Sequence, residues 1–301
     1  MAQEVIIRER SSSILIFSIG LLLLSVYGVI TFEMPDLSQT NISNSSVTTQ
    51  YTEDRAIPQI ENGFTIGMWN IQIFGLTKWQ NNTLREELLS VLTLFDVVIV
   101  QEVRDASNKV ASELCAEFEL SGYGCMYSVR AGRTSATEQY VFAYNSSLFS
   151  VGEVYDMAIR DGEVDFYEYW ERPPLIVTLT HNDTQFRIAT IHVRPLDAVS
   201  EIRYLDLLLG NATTDSFILI GDLNADCAYY NTNRETYFTN WYWVIAQGDD
   251  TTLSQRTCAY DRILLNDVAQ GYFAYSYGIL KEDITLAHSD HYPVWAGFSL
   301  S

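Results

Sequence analysis

Short apolar runs recur from about residue 64 to the end of the chain, and several are uninterrupted by any charge. Such runs are typical of β-strands that are buried on both faces. The pattern predicts strands at residues 64–70, 96–101, 140–144, 175–180, 186–192, 217–222, 260–265 and 292–298. Helices are predicted at residues 84–94, 106–118 and 198–209, the last with Asp197 as its N-cap and Gly210 just past its end. We therefore expect an α/β fold in which two β-sheet layers form a sandwich flanked by helices.

Polar side chains cluster where these predicted strands end or begin. The set comprises Asn70, Glu102, His192, Asp222, Asn224, Asp290 and His291. One polar residue at a strand end is usually a cap or a turn former. A whole set of carboxylate, amide and imidazole groups at one sheet edge is what a hard divalent cation and acid–base chemistry require. The sequence therefore predicts a metal-assisted active site at this edge.

The N-terminal part of the chain has a different character. Residues 14–32 begin with the charge-free run ILIFSIGLLLLSVYGVI, whose 17 residues would rise about 26 Å as a helix, close to the thickness of a hydrocarbon core. Two interpretations stay open: a transmembrane signal anchor, or a cleaved signal peptide. Because Arg8 and Arg10 precede the run, the positive-inside rule places residues 1–13 in the cytoplasm. The rest would be extracellular, membrane-anchored in the first case and secreted in the second.

Residues 33–60 are predicted to form a flexible extracellular linker. Ten of the fifteen residues at 38–52 are Ser, Thr or Asn, and such a stretch buries too little apolar area to offset its ordering entropy. Residues 61–301 are then one domain. N-x-S/T sequons, which fit an exported glycoprotein, occur at Asn41, Asn44, Asn81, Asn145, Asn182 and Asn211.

The charge balance excludes one class of protein. Lys and Arg number 18 against 38 Asp and Glu, which gives a formal net charge of −20. A simple basic nucleic-acid-binding module neutralises phosphates with Lys and Arg, so this chain does not fit that class. If the substrate is a polyanion, a divalent metal must supply positive charge.

Seven motifs, spread over nearly the whole predicted domain, resemble those of the deoxyribonuclease I family within the endonuclease/exonuclease/phosphatase superfamily. They are WNIQIFG, IVQEVRD, TEQYVFAY, IHVRPLDAVSEI, GDLNADC, CAYDRI and SDHYPV. The resemblance implies a deoxyribonuclease I-like fold and metal-dependent hydrolysis of DNA phosphodiester bonds that leaves 5′-phosphate ends. It implies Mg²⁺ as cofactor, Ca²⁺ in a structural or synergistic role, and Mn²⁺ as an alternative ion. No obligate protein partner is implied.

The resemblance also assigns roles to residues. Asn70, Glu102, Asp222 and Asp290 would surround the metal and the phosphate, and Asn224 would bind a phosphate oxygen. His192 and His291 would be the acid–base pair, oriented by Glu138 and Asp261 respectively. A carboxylate on one ring nitrogen fixes the tautomer and stabilises the imidazolium. Which histidine is the base stays open. His181 and His288 match no motif and are expected at the surface.

The residues expected to contact DNA only partly match the family. Arg104 matches an arginine that contacts DNA. The family's Arg-Glu-Pro segment occurs as Glu171-Arg172-Pro173 with its charges exchanged, and Arg172 is taken as a second substrate contact. The family tyrosine that packs into the minor groove is replaced by Ala136. The chemistry therefore looks intact, while the surface that reads the duplex looks altered.

The four cysteines are an even number, and no C-x-x-C occurs among them. In the deoxyribonuclease I family the cysteines of GDLNADC and CAYDRI form a disulfide, which implies a Cys227–Cys258 bond here. A Cys115–Cys125 bond is also predicted, without support from the family.

Two alternatives to a nuclease stay open. One is a membrane-tethered phosphoesterase that acts on lipid phosphoesters, like a sphingomyelinase or a phosphoinositide phosphatase. The other is a non-catalytic surface-binding module, although all the motif positions are filled. CAYDRI and its cysteine argue against the lipid phosphoesterase.

Overall fold

Two six-stranded mixed β-sheets build the computed structural model, which describes residues 57–160, 163–164, 169–231 and 233–300. The first sheet has the strand order β13-β14-β1-β2-β4-β3. Its strands are β1 (Gly63–Phe74), β2 (Val97–Val103), β3 (Tyr123–Tyr127), β4 (Gln139–Asn145), β13 (Phe273–Ile279) and β14 (Val294–Ser299).

The second sheet has the order β11-β12-β10-β9-β8-β5. Its strands are β5 (Ser150–Asp156), β8 (Leu175–His181), β9 (Thr184–Thr190), β10 (Ser216–Asp222), β11 (Tyr242–Trp243) and β12 (Asp261–Leu265). A small hairpin pairs β6 (Ile159–Arg160) with β7 (Glu163–Val164).

Both sheets are covered on both faces, which explains their continuous apolar strands. In β1, Phe64, Ile66 and Met68 point into the core between the sheets, while Trp69 and Ile71 point into a second core on the outer face. That outer core is closed mainly by α2 (Asn82–Leu92) and α3 (Lys109–Leu120), with the short α1 (Leu76–Trp79) beside them. On the other sheet, α4 (Ala198–Leu209) closes a third core. A short α5 (Asp267–Gln270) precedes β13.

The predicted strands all occur, and the strands that the sequence did not predict lie at sheet edges or in the small hairpin. β3, β5, β11 and β13 are the four edge strands of the two sheets in the described part of the chain. They are half-buried or exposed over much of their length, so they lack the apolar runs that reveal a strand covered on both faces. The sandwich with flanking helices is therefore confirmed.

The predicted helix at residues 198–209 is confirmed, but its N-terminus differs in detail. A 3₁₀ turn at Pro195–Asp197 precedes α4, and the Asp197 side chain makes no capping hydrogen bond. Its carboxylate instead binds Arg194 at 2.9 Å. Gly210 occupies the C-cap position as expected.

The N-terminal predictions fall almost entirely outside the described residues. Residues 1–56, which include the apolar segment and most of the predicted linker, belong to that part. Among the residues that are described, no helix is both long and apolar enough to cross a membrane. The anchor, the linker and the domain boundaries stay predictions.

Both predicted disulfides are present. Cys115 in α3 is bonded to Cys125 in β3, and Cys227 is bonded to Cys258 across a separation of 31 residues. The second bond joins the segment that follows β10 to the segment that precedes β12.

The strand directions bring the predicted polar residues to one edge of the sandwich. β1 is parallel to β2, and β9 is parallel to β10, so the carboxyl ends of each pair lie side by side. β14, β12 and β4 run antiparallel to these strands, and their first residues meet the same edge.

Candidate active site

His192 and Glu138 form the first of two imidazole–carboxylate pairs at this edge. His192 lies just beyond β9, Glu138 just before β4, and Nδ1 of the histidine is 2.7 Å from Oε2 of the glutamate. The other carboxylate oxygen accepts hydrogen bonds from Nη1 of Arg172 at 3.0 Å and from Nη2 of Arg104 at 2.7 Å. One buried carboxylate thus serves an imidazole and two guanidiniums.

The charges around Glu138 fix its ionisation. Burial alone would raise the pKa of the carboxyl, but His192 and the two guanidiniums lower it to about 2. Burial and the nearby guanidinium lower the pKa of His192, whereas the carboxylates of Glu138 and Asp222 outweigh both and raise it above its ordinary value. The first pair is therefore an ionised carboxylate beside a histidine that readily holds a proton.

His291 and Asp261 form the second pair. Nδ1 of His291 is 2.8 Å from Oδ2 of Asp261, and the backbone carbonyl of His291 accepts a hydrogen bond from the indole of Trp69 at 2.8 Å. Burial opposes the charge on the imidazole, but Asp261 and Asp222 raise the pKa of His291 to about 10. The second pair holds its proton firmly.

Asp222, the last residue of β10, lies between the two pairs. Its Oδ2 is 3.4 Å from Nε2 of His192 and 3.6 Å from Nε2 of His291. The same oxygen accepts a hydrogen bond from the Asn70 amide at 3.0 Å. The free nitrogens of both imidazoles therefore converge on one point, the requirement for two proton-transferring groups to act on one small substrate.

The remaining carboxylates offer oxygen ligands for a cation. Glu102 accepts hydrogen bonds from the Asn70 amide at 3.3 Å and from the Ile73 backbone at 2.8 Å. Gln72 donates to Oδ2 of Asp290 at 2.8 Å. Oδ1 of Asn70 and Oδ1 of Asp290 are buried and, among the described residues, have no hydrogen-bond partner. Carboxylate and amide oxygens with unused lone pairs fit Mg²⁺ or Ca²⁺.

Two further groups of three residues could each hold a metal ion: Glu102, Glu138 and His192 in one, Asp222, Asp261 and His291 in the other. In each group one carboxylate already binds Nδ1 of the histidine. We therefore regard the oxygen donors of Asn70, Glu102, Asp222 and Asp290 as the better fit for a hard cation.

The three residues predicted to bind substrate occupy different environments. Arg104 is partly exposed and also lies 3.0 Å from Glu102. Asn224 is buried, with its side-chain amide on the Val193 carbonyl at 2.9 Å. Arg172 is also buried, and it binds Glu138 and the carbonyl of His192. In this structure Arg172 supports the first pair, and its role as a substrate contact stays a prediction.

The other two histidines are not surface residues, contrary to expectation. His181 is buried, with Nδ1 2.9 Å from the Leu148 carbonyl. His288 is also buried, with Nε2 3.0 Å from Glu87. Neither histidine belongs to one of the two pairs, and the absence of a motif match carried no information about their burial.

Gln101 is a supporting residue that the sequence reasoning missed. Its side-chain amide donates to Thr190 and to the Ile191 carbonyl, both at 2.9 Å, and its oxygen accepts from the Asp222 amide at 3.0 Å. Gln101 thereby joins the two sheets below the site. A Cβ at Gly221 would collide with the Ile191 carbonyl oxygen. Gln101 lies at the end of an apolar run, which is the same signal that revealed Glu102.

Lys78 and Ser289 also connect parts of the site. Lys78 donates to the carbonyls of Gln72 and His288 at 2.6 and 2.7 Å. The Ser289 hydroxyl donates to the Asn70 carbonyl at 2.5 Å and accepts from the His291 amide at 3.0 Å. These bonds fix the end of β1 against the loop that carries Asp290 and His291.

The comparison with known proteins agrees with this geometry. Residues 69–291, which contain both pairs, match the Endonuclease/Exonuclease/phosphatase family. Deoxyribonuclease-1 of Gallus gallus is 32% identical over 258 residues, which cover 76% of this chain and 90% of that protein. The Homo sapiens deoxyribonuclease-1 is 33% identical over 257 residues, with the same coverage of 76% and 90%. This chain belongs to the deoxyribonuclease I family. As a deoxyribonuclease-like phosphodiesterase it is a hydrolase that depends on a divalent metal.

Solved structures share the fold of this deoxyribonuclease I family member. The endonuclease/exonuclease/phosphatase from Bacteroides vulgatus superposes with a TM-score of 0.59 at 16% identity, covering 80% of this chain and all of that one. D. rerio TDP2, complexed with a single-strand DNA product, gives 0.57 at 16% identity with the same coverage. At this identity the likeness concerns the fold alone.

Proposed function

We propose that this protein is an endonuclease that hydrolyses DNA phosphodiester bonds outside the cytoplasm, with a divalent cation and two histidine–carboxylate pairs. The observation that carries the proposal is the convergence of both imidazole Nε2 atoms on Asp222. Each imidazole holds its own carboxylate on Nδ1. The deoxyribonuclease-1 relatives support DNA as the substrate.

The residues divide the reaction among them. One histidine takes a proton from a water molecule that attacks phosphorus in line, and the other gives a proton to the departing 3′ oxygen, which leaves a 5′-phosphate. Glu138 and Asp261 hold the two rings and stabilise their charged forms. Asn70, Glu102, Asp222 and Asp290 would hold the cation, whose chemistry is to neutralise charge on the scissile phosphate. Asn224 and Arg104 would bind phosphate oxygens.

Mg²⁺ is the proposed catalytic ion, with Ca²⁺ structural or synergistic and Mn²⁺ as a substitute. The test is the nicking of supercoiled plasmid as a function of Mg²⁺ concentration. Wild-type protein should nick with Mg²⁺ and not in EDTA. Glu102→Gln should abolish nicking or require far more Mg²⁺, whereas the exposed Glu119→Gln should match wild type. Superimposable titrations for Glu102→Gln and wild type would remove Glu102 from the metal site.

The same assay separates DNA from lipid substrates. Sphingomyelin and phosphoinositide vesicles, offered with Mg²⁺, should give no product under conditions that nick plasmid. Hydrolysis of either lipid at a rate exceeding DNA cleavage would replace the nuclease by the membrane-tethered phosphoesterase. Binding of DNA without any cleavage would favour the non-catalytic module.

The proposed location is the cell exterior, with the domain anchored by residues 14–32 or released after their cleavage. The apolar N-terminal segment and the two disulfides support it. N-terminal sequencing of the protein exported by its host distinguishes anchor from signal peptide. Free thiols at all four cysteines in that protein would contradict the location.

A further inference from the structure

A bulge in β1 places Ile73 in a backbone conformation that its side chain disfavours. The register between β1 and β2 shifts between Asn70 and Phe74, and within that stretch Ile73 has a φ of 49°. This left-handed region is uncommon for any residue except glycine, and for a β-branched residue it is an outlier. Such outliers cluster at functional sites because the surrounding contacts hold them in place.

The contacts that hold this bulge belong to the active site. The Ile73 backbone N–H donates to Oε2 of Glu102 at 2.8 Å, and the same oxygen lies 3.0 Å from Nη2 of Arg104. On one side of Ile73, Gln72 donates to Asp290. The backbone of Ile73 is therefore part of the shell around the proposed cation ligands.

The side chain of Ile73, in contrast, is exposed to solvent. It is 59% exposed, while Ile71 and Phe74 on either side are fully buried. Asparagine or glycine at this position would bind Glu102 through the same backbone amide, adopt the positive φ more readily, and expose no apolar surface. Neither the stability of the fold nor the hydrogen bond to Glu102 explains why this position carries an isoleucine. The exposed apolar side chain therefore needs another explanation.

We infer that the Ile73 side chain is a substrate contact, which packs against the deoxyribose next to the scissile phosphate. The inference rests on the proposed function. A phosphodiester held beside Glu102 carries a sugar on each side, and the C–H face of a sugar is the nearest apolar surface that the substrate can offer to the rim of the site. Burial of apolar area on both partners favours binding, and the contact is independent of base sequence because every nucleotide carries the same sugar.

The test compares Ile73→Asn and Ile73→Gly with wild type on two substrates. The first is a short DNA duplex, and the second is methyl 4-nitrophenyl phosphate, a phosphodiester without a sugar. Both variants should raise KM for the duplex about tenfold, which corresponds to about 1.4 kcal/mol, with kcat changed less than about twofold. Turnover of the small diester and the Mg²⁺ concentration for half-maximal activity should stay at wild-type values.

Leu120→Asn is the matched control, because Leu120 is 84% exposed and ends α3, away from the site residues. It should leave both substrates unaffected. The inference is overturned if KM for the duplex is unchanged in both Ile73 variants. It is also overturned if both substrates lose activity together with a shifted Mg²⁺ dependence, which would mean that Ile73 acts only through Glu102.

Two further outcomes separate this inference from the function on which it rests. If wild type hydrolyses the small diester but no DNA, the proposed function fails and this contact fails with it. If wild type cleaves both the duplex and the small diester, and the Ile73 variants do not differ from wild type, the proposed function stands and the contact alone is wrong. A KM effect that appears with one duplex sequence and not another would overturn the assignment to the sugar.

Discussion

The two histidine–carboxylate pairs have nearly the same geometry but different surroundings. Nδ1 to carboxylate distances are 2.7 Å for His192 and 2.8 Å for His291. Glu138, the partner of His192, also binds two guanidiniums. Asp261, the partner of His291, leaves its second oxygen without a hydrogen-bond partner in the described part of the chain.

The two pairs therefore have similar geometry but different electrostatic environments. The charge of Arg172 opposes protonation of His192. The pKa of the Glu138 carboxyl is lowered to about 2, so this group stays ionised far below neutral pH. His291 faces carboxylates and has its pKa raised to about 10. The first pair is a network that stabilises the fold as well as the histidine. The second pair keeps His291 protonated, and its contribution to stability depends on that charge.

The largest expected effect concerns the histidines themselves. His192→Ala and His291→Ala should each lower the turnover of plasmid nicking by about 10²–10⁴-fold, the loss that is typical when acid–base help is removed. His181→Asn, a buried histidine in the β8–β9 hairpin, should remain within a few-fold of wild type. Circular dichroism checks that each variant folds. If either alanine variant keeps nearly full activity, only one pair takes part in the chemistry.

The carboxylates should separate the two pairs by stability. Glu138→Gln leaves the buried Arg172 without its anionic partner and should lower the free energy of unfolding by about 3–5 kcal/mol. At pH 9, Asp261→Asn should cost less than half as much, because His291 is then close to its raised pKa of about 10 and can release its proton. Urea unfolding measures both. A double variant, Glu138→Gln with Arg172→Met, should recover much of the loss, and equal losses in the two single variants would contradict the asymmetry.

The two disulfides close loops of different length, and removing each one should have a different effect on stability. Replacing Cys227 and Cys258 by serine opens a loop of 31 residues and should cost roughly 3.7 kcal/mol in the chain-entropy model. The matched change at Cys115 and Cys125, with a separation of 10, should cost roughly 2.7 kcal/mol.

Only the first double variant should lower nicking activity under folding conditions, because Cys227–Cys258 links the segments that carry Asp222 and Asp261. Urea midpoints and nicking rates, measured on both variants, decide this. Equal activity in the two would show that the tether is dispensable for the second pair.

The smallest effects are the pH dependences of stability in metal-free protein. Glu138, with a pKa lowered from 4.5 to about 2, stabilises the fold above pH 4.5, and this contribution is lost as the pH falls towards 2. His291, with a pKa raised from 6.5 to about 10, stabilises the fold below pH 6.5, and this contribution is lost as the pH rises through 10. The free energy of unfolding should therefore fall by about 2 kcal/mol between pH 6 and 3, which we call the acid limb, and by about 2 kcal/mol between pH 7 and 9, the alkaline limb.

Urea unfolding at these pH values measures both limbs. Glu138→Gln should flatten the acid limb alone, and His291→Asn the alkaline limb alone. A variant that flattens the limb assigned to the other pair would reverse the comparison.

The amino-acid sequence alone was enough to predict the central strands, the helix Ala198–Leu209 and both histidine–carboxylate pairs. Strands covered on both faces appear as apolar runs, and a helix shows its period of 3.6 residues, because these signals depend on residues close in the chain. The motif residues were recognisable for a similar reason, since each belongs to a short segment such as GDLNADC or SDHYPV.

Several other features became visible only in the folded structure. The edge strands, the burial of Arg172 and His288, the bridge that Gln101 makes between the sheets and the bulge at Ile73 all depend on partners far away in the chain. Gln101 meets Asp222 across 121 residues, and Arg172 meets Glu138 across 34. No local pattern encodes such contacts, because the free energy that fixes them comes from burial and charge pairing after the two sheets have packed together.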